Sequence, residues 1–149
     1  MNIQKATLCF LRNNEHILLG MKKRGFGMGK WNGFGGKVNV NENPIAAAKR
    51  EVVEEIGIEI KEIIEKGFIN FHYETHDVNV WLYEVTSWQG NPTESEEMRP
   101  EWFKISEIPY TQMWPDDVMW LPLYLKNQKI NAEFWFDNDF IITKSIFHN

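Results

Sequence analysis

A chain of 149 residues with 43% hydrophobic and 14% aromatic content has the size and apolar fraction of one packed domain, so residues 1–149 are expected to form a single domain. Its net charge of −5 argues against a nucleic acid polymer as partner, because polyanion binding rests on a basic surface. No apolar run nears the roughly 18 residues of a membrane span, the first residues lack a signal-peptide stretch, and the lone Cys9 suits a reducing compartment, so a cytoplasmic monomer with no membrane partner is expected.

In chain order, residues 5–12 and 16–23 read as two strands around a tight turn at Asn13-Asn14. Glycines at 25, 27, 29, 33, 35 and 36, interleaved with Phe26, Trp31 and Phe34, mark a loop that turns sharply or approaches something closely. Asn43-Pro44 reads as N-cap and first helical residue and Gly57 as a stop, bounding a helix of about four turns. Its stripe of Ile45, Ala48, Val52 and Ile56 is expected to pack on a sheet. Residues 58–73 and 77–85 read as strands, with Val78, Val80 and Leu82 alternating against Asn79, Trp81 and Tyr83. Residues 89–97 read as a polar loop, Trp102-Phe103 as a short strand, residues 116–125 as a second helix behind Pro115, and residues 132–147 as a hairpin turning at Asp137-Asn138-Asp139.

The first helix carries the strongest chemical signal. Glu51 precedes Glu54 and Glu55 by three and four residues, so three carboxylates project from roughly one strip. Like charges at that spacing repel, and hard oxygen donors at such density suit Mg²⁺ or Mn²⁺. The alternative is a solvated acidic face partly neutralised by Lys49 and Arg50. The whole string favours the metal: Gly36, five residues, Glu42, seven residues, Arg50-Glu51-Val52, one residue, Glu54-Glu55, one residue, Gly57-Ile58.

That string resembles the Nudix box, defined at nine positions over 23 residues. The resemblance implies a Nudix fold of the α/β (α+β) class, an α/β/α sandwich with a mixed β-sheet, and Mg²⁺-dependent hydrolysis of a nucleotide between its phosphates. It also implies metal ligation by Glu51 and Glu55, with Glu54 close by and the Gly36 carbonyl as a further ligand. Arg50 would hold the carboxylates by ion pairing and Glu42 would be structural. A cation at phosphate oxygens neutralises developing charge and activates a water for in-line attack, with a carboxylate such as Glu51, Glu54 or a loop glutamate to take the proton. Of Glu94, Glu96 and Glu97 in the polar loop, Glu97 is taken as the further metal-site carboxylate.

Beyond the box, the segments Leu18 to Gly27, Lys30 to Val38, Glu97-Met98-Arg99-Pro100 and Met113-Trp114-Pro115-Asp116-Asp117 resemble the oxidised purine nucleoside triphosphatases, the animal-type branch of MutT homologues. These hydrolyse 8-oxo-dGTP and 2-hydroxy-dATP to monophosphate and pyrophosphate and so sanitise the nucleotide pool. Trp114 offers a face for purine stacking, although a tryptophan is as readily core. Asp116 and Asp117 read as an ordinary helix start or as a pair meeting the base edge, one protonated and donating, the other accepting. Asn32 adds a donor and an acceptor. The resemblance adds contacts from Thr7, Leu8, Phe26, Phe71 and Met98, with Lys22 near the base or ribose; read alone these are strand core and a solvated lysine. Only Glu74-Thr75-His76 separate Tyr73 from Asp77, fewer residues than in the better-known relatives, and His76 stands where a pocket methionine would align. That leaves the ranking of oxidised and methylated purines open. Tyr73 resembles the tyrosine marking dinucleoside polyphosphate hydrolases, a competing substrate class, and a non-catalytic nucleotide-binding module is the alternative of a different kind.

Overall fold

The computed structural model describes residues 2–148; the outermost residues of the expected domain, Met1 and Asn149, lie outside the described residues. Strand β1 (Asn2–Arg12) turns through Asn13, whose Oδ1 accepts the N–H groups of Glu15 and His16, into β2 (His16–Lys22). These two strands pair only at Leu11–Leu18 and Arg12–Ile17 and then part. The glycine-rich segment fills the gap: β3 (Trp31–Asn32) pairs β2, while Phe34 and Lys37 bridge back to Cys9 and Ala6 of β1. The fork between β1 and β2 is the feature that opens a cleft.

Helix α1 (Pro44–Ile56) begins and ends where its local sequence dictates. The Asn43 side chain accepts the Ala46 N–H at 2.8 Å, and Gly57 closes it in the left-handed conformation at φ 70°. Its buried residues are Ala47, Ala48, Val52, Glu55 and Ile56, while Ile45 is 42% exposed. Ala48, Val52 and Ile56 of the expected stripe are buried, Ile45 is not, and a carboxylate, Glu55, is carried inward beside them.

The long strands β4 (Glu59–His72) and β5 (His76–Gln89) form an antiparallel pair with bulges near Glu62 and Lys66. Strand β6 (Met98–Lys104) pairs β2 along its length. It is longer than the Trp102-Phe103 strand expected, because Pro100 sits on a strand with a partner on one side only, where a missing N–H costs no ladder bond. Helix α2 (Asp117–Leu125), β7 (Ile130–Phe136) and β8 (Ile142–Phe147) complete the chain. The order β3-β2-β1-β5-β4-β7-β8, with β6 on β2, contains two parallel pairs, β1·β5 and β4·β7, among antiparallel ones. The sheet is mixed, as expected.

Alternation along the strands divides the core between two faces. Phe10, Leu19, Ile69 and Leu82 pack with Trp120 and Tyr124 of α2, and Cys9, Leu11, Leu18, Tyr83 and Val85 pack with Ala48, Val52 and Ile56 of α1. Helices on opposite faces make the α/β/α layering. Among the described residues no helix is long and apolar enough to cross a membrane.

Candidate active site

The fork between β1 and β2 opens into a cleft of about 580 Å³. At one end stands α1. Arg50 there is a hub: Nε and Nη2 grip Glu42 at 2.9 and 3.0 Å, Nη2 also donates to the Lys37 carbonyl at 3.0 Å, and Nη1 donates to Glu51 Oε1 at 2.8 Å. This bidentate hold, with the Asn39 N–H, keeps the Glu42 carboxyl down at about 2. Glu54 lies 3.5 Å from the same guanidinium but is 56% exposed. The three box glutamates thus do not share one environment.

Glu55 is 2% exposed and accepts the Gly35 N–H at 2.9 Å. Burial pushes its pKa up to about 8; the Gly35 N–H and Lys22 oppose the rise, and the charges of Glu51 and Glu97 add to it. Burial also raises Glu51, against the pull of Arg50. Glu51 folds over Gly36 so closely that a Cβ there would sit 2.6 Å from its carboxyl carbon. The glycine is required by approach, not by backbone angle.

The Gly36 carbonyl, expected as a metal ligand, accepts the Thr7 N–H at 2.9 Å and lies 3.4 Å from the Thr7 hydroxyl; a carbonyl oxygen carries two lone pairs, so this bond leaves it able to ligate a cation. Phe34 likewise spends its N–H and carbonyl on Cys9, at 2.9 and 2.6 Å. Gly35, between them, directs its N–H to Glu55 instead, and among the described residues its carbonyl receives no hydrogen bond. Glu97, preceding β6, is 42% exposed and 3.5 Å from Arg24. Among the described residues no three His, Cys, Asp or Glu side chains converge closely enough to enclose an ion by themselves. The donor set nonetheless fits a hard divalent cation. Burial and the charges of two further glutamates make ionised Glu55 costly, with its pKa raised to about 8; a divalent cation beside it would relieve that cost, and Mg²⁺ commonly takes one or two carboxylates plus waters and phosphates.

The other end of the cleft is aromatic and acidic. Asp116 and Asp117 are 3% and 2% exposed. Asp116 occupies the N-cap position of α2, but its side chain does not cap the helix: its Oδ2 accepts the Trp120 indole N–H at 2.7 Å, one helical turn on. Asp117 Oδ2 accepts the Trp114 backbone N–H at 3.1 Å. Burial pushes Asp116 up to about 6 and Asp117 well above the carboxylate range, where the charge of Asp116 adds and Lys30 opposes. Both carboxyls hold a proton more tightly than free ones, because burial and their mutual repulsion disfavour two charges side by side.

Trp114 presents a different face from the one expected. Phe26 stacks on it with centroids 5.0 Å apart and planes at 22°, and Lys30 Nζ lies 5.1 Å from its ring centroid. Thr7, Leu8, Lys22, Asn32, Phe71 and Met98 line the same cleft. Asn32 spends its Oδ1 on the Gly33 N–H at 2.8 Å, and Lys22 lies toward Glu55, whose pKa its charge lowers. The cleft also takes in His76, which aligns with a pocket position, and Lys30, Tyr73, Trp120 and Phe140, none of these four singled out from the sequence as pocket contacts. Trp120 alone left a local signal, four residues after Asp116 on a predicted helix.

The NUDIX domain profile matches residues 2–124. The chain is also 44% identical over 140 residues to an oxidized purine nucleoside triphosphate hydrolase of Danio rerio, covering 93% of this chain and 90% of the relative.

The chain belongs to the Nudix family.

A Mus musculus protein of the same name is 44% identical over 143 residues, 94% of this chain and 92% of its own. A mutator MutT protein from Bacillus halodurans superposes with a TM-score of 0.86 over 97% of both chains at 24% identity, which shows the shared Nudix fold. The matched Nudix segment runs from β1 into α2 and so contains both ends of the cleft up to Tyr124; the turn from Asp137 to Phe140, which completes its wall, lies beyond it.

Proposed function

We propose that this chain hydrolyses purine nucleoside triphosphates, with oxidised bases such as 8-oxo-dGTP and 2-hydroxy-dATP preferred, to a monophosphate and pyrophosphate. The effect would be to remove mutagenic precursors from the nucleotide pool. One observation carries the reading: a single cleft joins a buried, under-compensated carboxylate, Glu55, to a buried acid pair, Asp116 and Asp117, beside Trp114. The names of the zebrafish and mouse relatives support the purine class.

The phosphate end works through its carboxylates. Glu51, Glu55 and Glu97, with Glu54 at the solvent edge and the Gly36 carbonyl as a further oxygen ligand, are the proposed holders of Mg²⁺, with Mn²⁺ as its substitute. Bound there, the cation supplies charge neutralisation on phosphate oxygens and an activated water. Arg50 is a positioning residue, since it fixes Glu51 through Oε1 and is itself fixed by Glu42. Lys22, expected near the base or ribose, acts by its charge on Glu55 and is assigned to the phosphate chain. Water adds to one phosphorus of the anhydride and its proton passes to Glu54 or Glu97, both half exposed and so able to release it to solvent. The departing group is pyrophosphate or the monophosphate, according to which phosphorus is attacked.

The base end works through hydrogen bonds that exchange donor for acceptor. Asp117, protonated, donates; Asp116, ionised and steadied by Trp120, accepts; the Asn32 amide adds a further donor. Residues 1–149 act as one unit in this reading, as a monomer in the cytoplasm, with no nucleic acid polymer or membrane as partner.

The test is initial rates of pyrophosphate release with Mg²⁺ from 8-oxo-dGTP, 2-hydroxy-dATP, dGTP, dATP and a diadenosine polyphosphate, repeated in EDTA. An oxidised purine leading dGTP in kcat/KM by about an order of magnitude or more, with no turnover in EDTA, is the expected result. Equal rates on all nucleotides, or turnover of the dinucleotide alone, would sink the assignment of the acid pair.

A further inference from the structure

Phe140 breaks a local rule. It follows a turn built by Asp137, whose carbonyl accepts the Phe140 N–H at 3.0 Å and whose Oδ1 accepts the N–H groups of Asp139 and Ile141 at 2.8 and 3.1 Å; the Asp137 N–H returns to the Ile141 carbonyl at 3.0 Å. That bonding holds Phe140 at φ 58°, in the left-handed region where hairpin turns ordinarily place glycine or asparagine and where a bulky residue is strained. The strain is not offset by burial in the core, since Phe140 is 40% exposed.

The ring is directed instead at the cleft. It stands edge-on to Phe26 at 5.6 Å, to Trp114 at 5.7 Å and to Tyr73 at 6.1 Å. Those rings come from the glycine-rich segment, the approach to α2 and the β4–β5 turn, so Phe140 ties together three parts of the wall of the cleft that also holds Asp116 and Asp117. Phe26 and Trp114, 5.0 Å apart, leave no room for a base between them, which would need about 7 Å for two ring contacts. A purine at the acid pair would lie in the same cleft as this cluster and meet the edges of its rings, not a slot between Phe26 and Trp114. A strained, half-exposed aromatic at such a place is the pattern of a functional residue and not of a packing one.

We propose that Phe140 is a purine-contacting residue of the base site, an apolar end wall that adds affinity for any purine nucleotide without reading its substituents. It has no polar atom with which to tell an oxo from an amino group, so its contribution is to uniform binding. Uniform binding raises affinity and leaves the chemical step alone. The inference rests on the cleft being a purine nucleotide site.

The test compares the wild-type chain with F140G and F140N, whose new residues accept the left-handed conformation, and with F140Y, which keeps the ring. Steady-state rates with Mg²⁺ are measured on 8-oxo-dGTP, 2-hydroxy-dATP and dGTP, with binding of the 8-oxo-dGMP product followed by tryptophan fluorescence, and Tm recorded for each. For F140G and F140N the expected result is a rise of roughly three- to tenfold in KM and in product Kd on every purine. Their kcat should change little, the ratio of kcat/KM between oxidised and ordinary guanine should stay as in the wild type, and Tm should hold or rise; F140Y should restore KM. Unchanged KM and Kd with a fallen Tm would overturn the proposal and leave Phe140 a packing residue, as would a selective loss on one base. If the wild-type chain turns over no purine triphosphate, the proposed function itself fails and takes this inference with it.

Discussion

The two ends of the cleft are built on different principles. At the phosphate end, Arg50, Glu51, Glu54 and Glu55 come from one helix, and their relation is set by the helical repeat. At the base end, Phe26, Asn32, Trp114, Asp116 and Phe140 arrive from segments more than a hundred residues apart in the chain, and no local periodicity relates them. Both ends bury carboxylates in different company: Glu55 has one backbone N–H and the charges of Glu51 and Glu97 near it, while Asp116 and Asp117 have each other and an indole N–H. One end is prepared for charge, the other for hydrogen bonding. Reaction type is thereby separable from substrate choice.

Glu55→Gln puts that separation to its hardest test. The amide keeps the volume and still accepts the Gly35 N–H, but it removes the charge that would hold the metal. Turnover of 8-oxo-dGTP should fall by about a thousandfold or more, while product binding, followed by tryptophan fluorescence, should change less than about threefold. Loss of both would show the ends to be one unit. The next largest effect is expected from Asp116→Asn. Its side-chain oxygen would go to the Trp120 indole N–H, now 2.7 Å from Asp116, and a donor would replace the acceptor facing the base. Discrimination between 8-oxo-dGTP and dGTP should drop by roughly a hundredfold. Asp117→Asn, which supplies a permanent donor where the proton is proposed to sit, should cost much less. The reverse order in the kcat/KM ratios would mean that the proton resides on Asp116.

Arg50→Lys should have a smaller, one-sided effect. An ammonium cannot grip Glu42 with two nitrogens while holding Glu51 with a third, so kcat is expected to fall about tenfold with base discrimination unchanged. A changed ratio between oxidised and ordinary guanine would show the hub reaching the base end.

The same contrast explains what the sequence alone could disclose. Asn43, Pro44 and Gly57 bound α1 through interactions three or four residues long, and the Nudix spacing lies within that helix and the loop before it. Such features are legible because cause and effect are neighbours in the chain. The burial of Glu55 is not: its side chain bonds to Gly35, twenty residues away, a contact that the helical pattern does not announce. Strand β6 reads as too short because a proline looks like a break until the strand is known to pair on one side. The engagement of the Gly36 carbonyl by Thr7 depends on a bridge to β1 that no local pattern announces. Resemblance supplied the base-end residues that physics alone would have left as core, but it offered nothing for Lys30 or Phe140.

The smallest expected effect separates the ends by pH. Each raised carboxyl binds its proton more tightly in the folded chain than in the unfolded one, so stability is greatest when the group is protonated and declines as pH rises from the unfolded value toward the folded one. For Glu55 that window runs from its ordinary 4.5 to about 8; for Asp116 it runs from 3.8 to about 6. In EDTA, the Tm of E55Q should therefore gain on the wild type steadily up to pH 8, whereas the gain of D116N should level off near pH 6 to 7. A gain of a few degrees is expected, at roughly 2–4 °C per kcal/mol for a chain of this size. Mg²⁺ should close the gap for E55Q and leave that for D116N, because only the first charge is one that a cation can relieve. A gap for D116N that also closes with Mg²⁺ would place the cation's influence across the whole cleft and dissolve the distinction between the two ends.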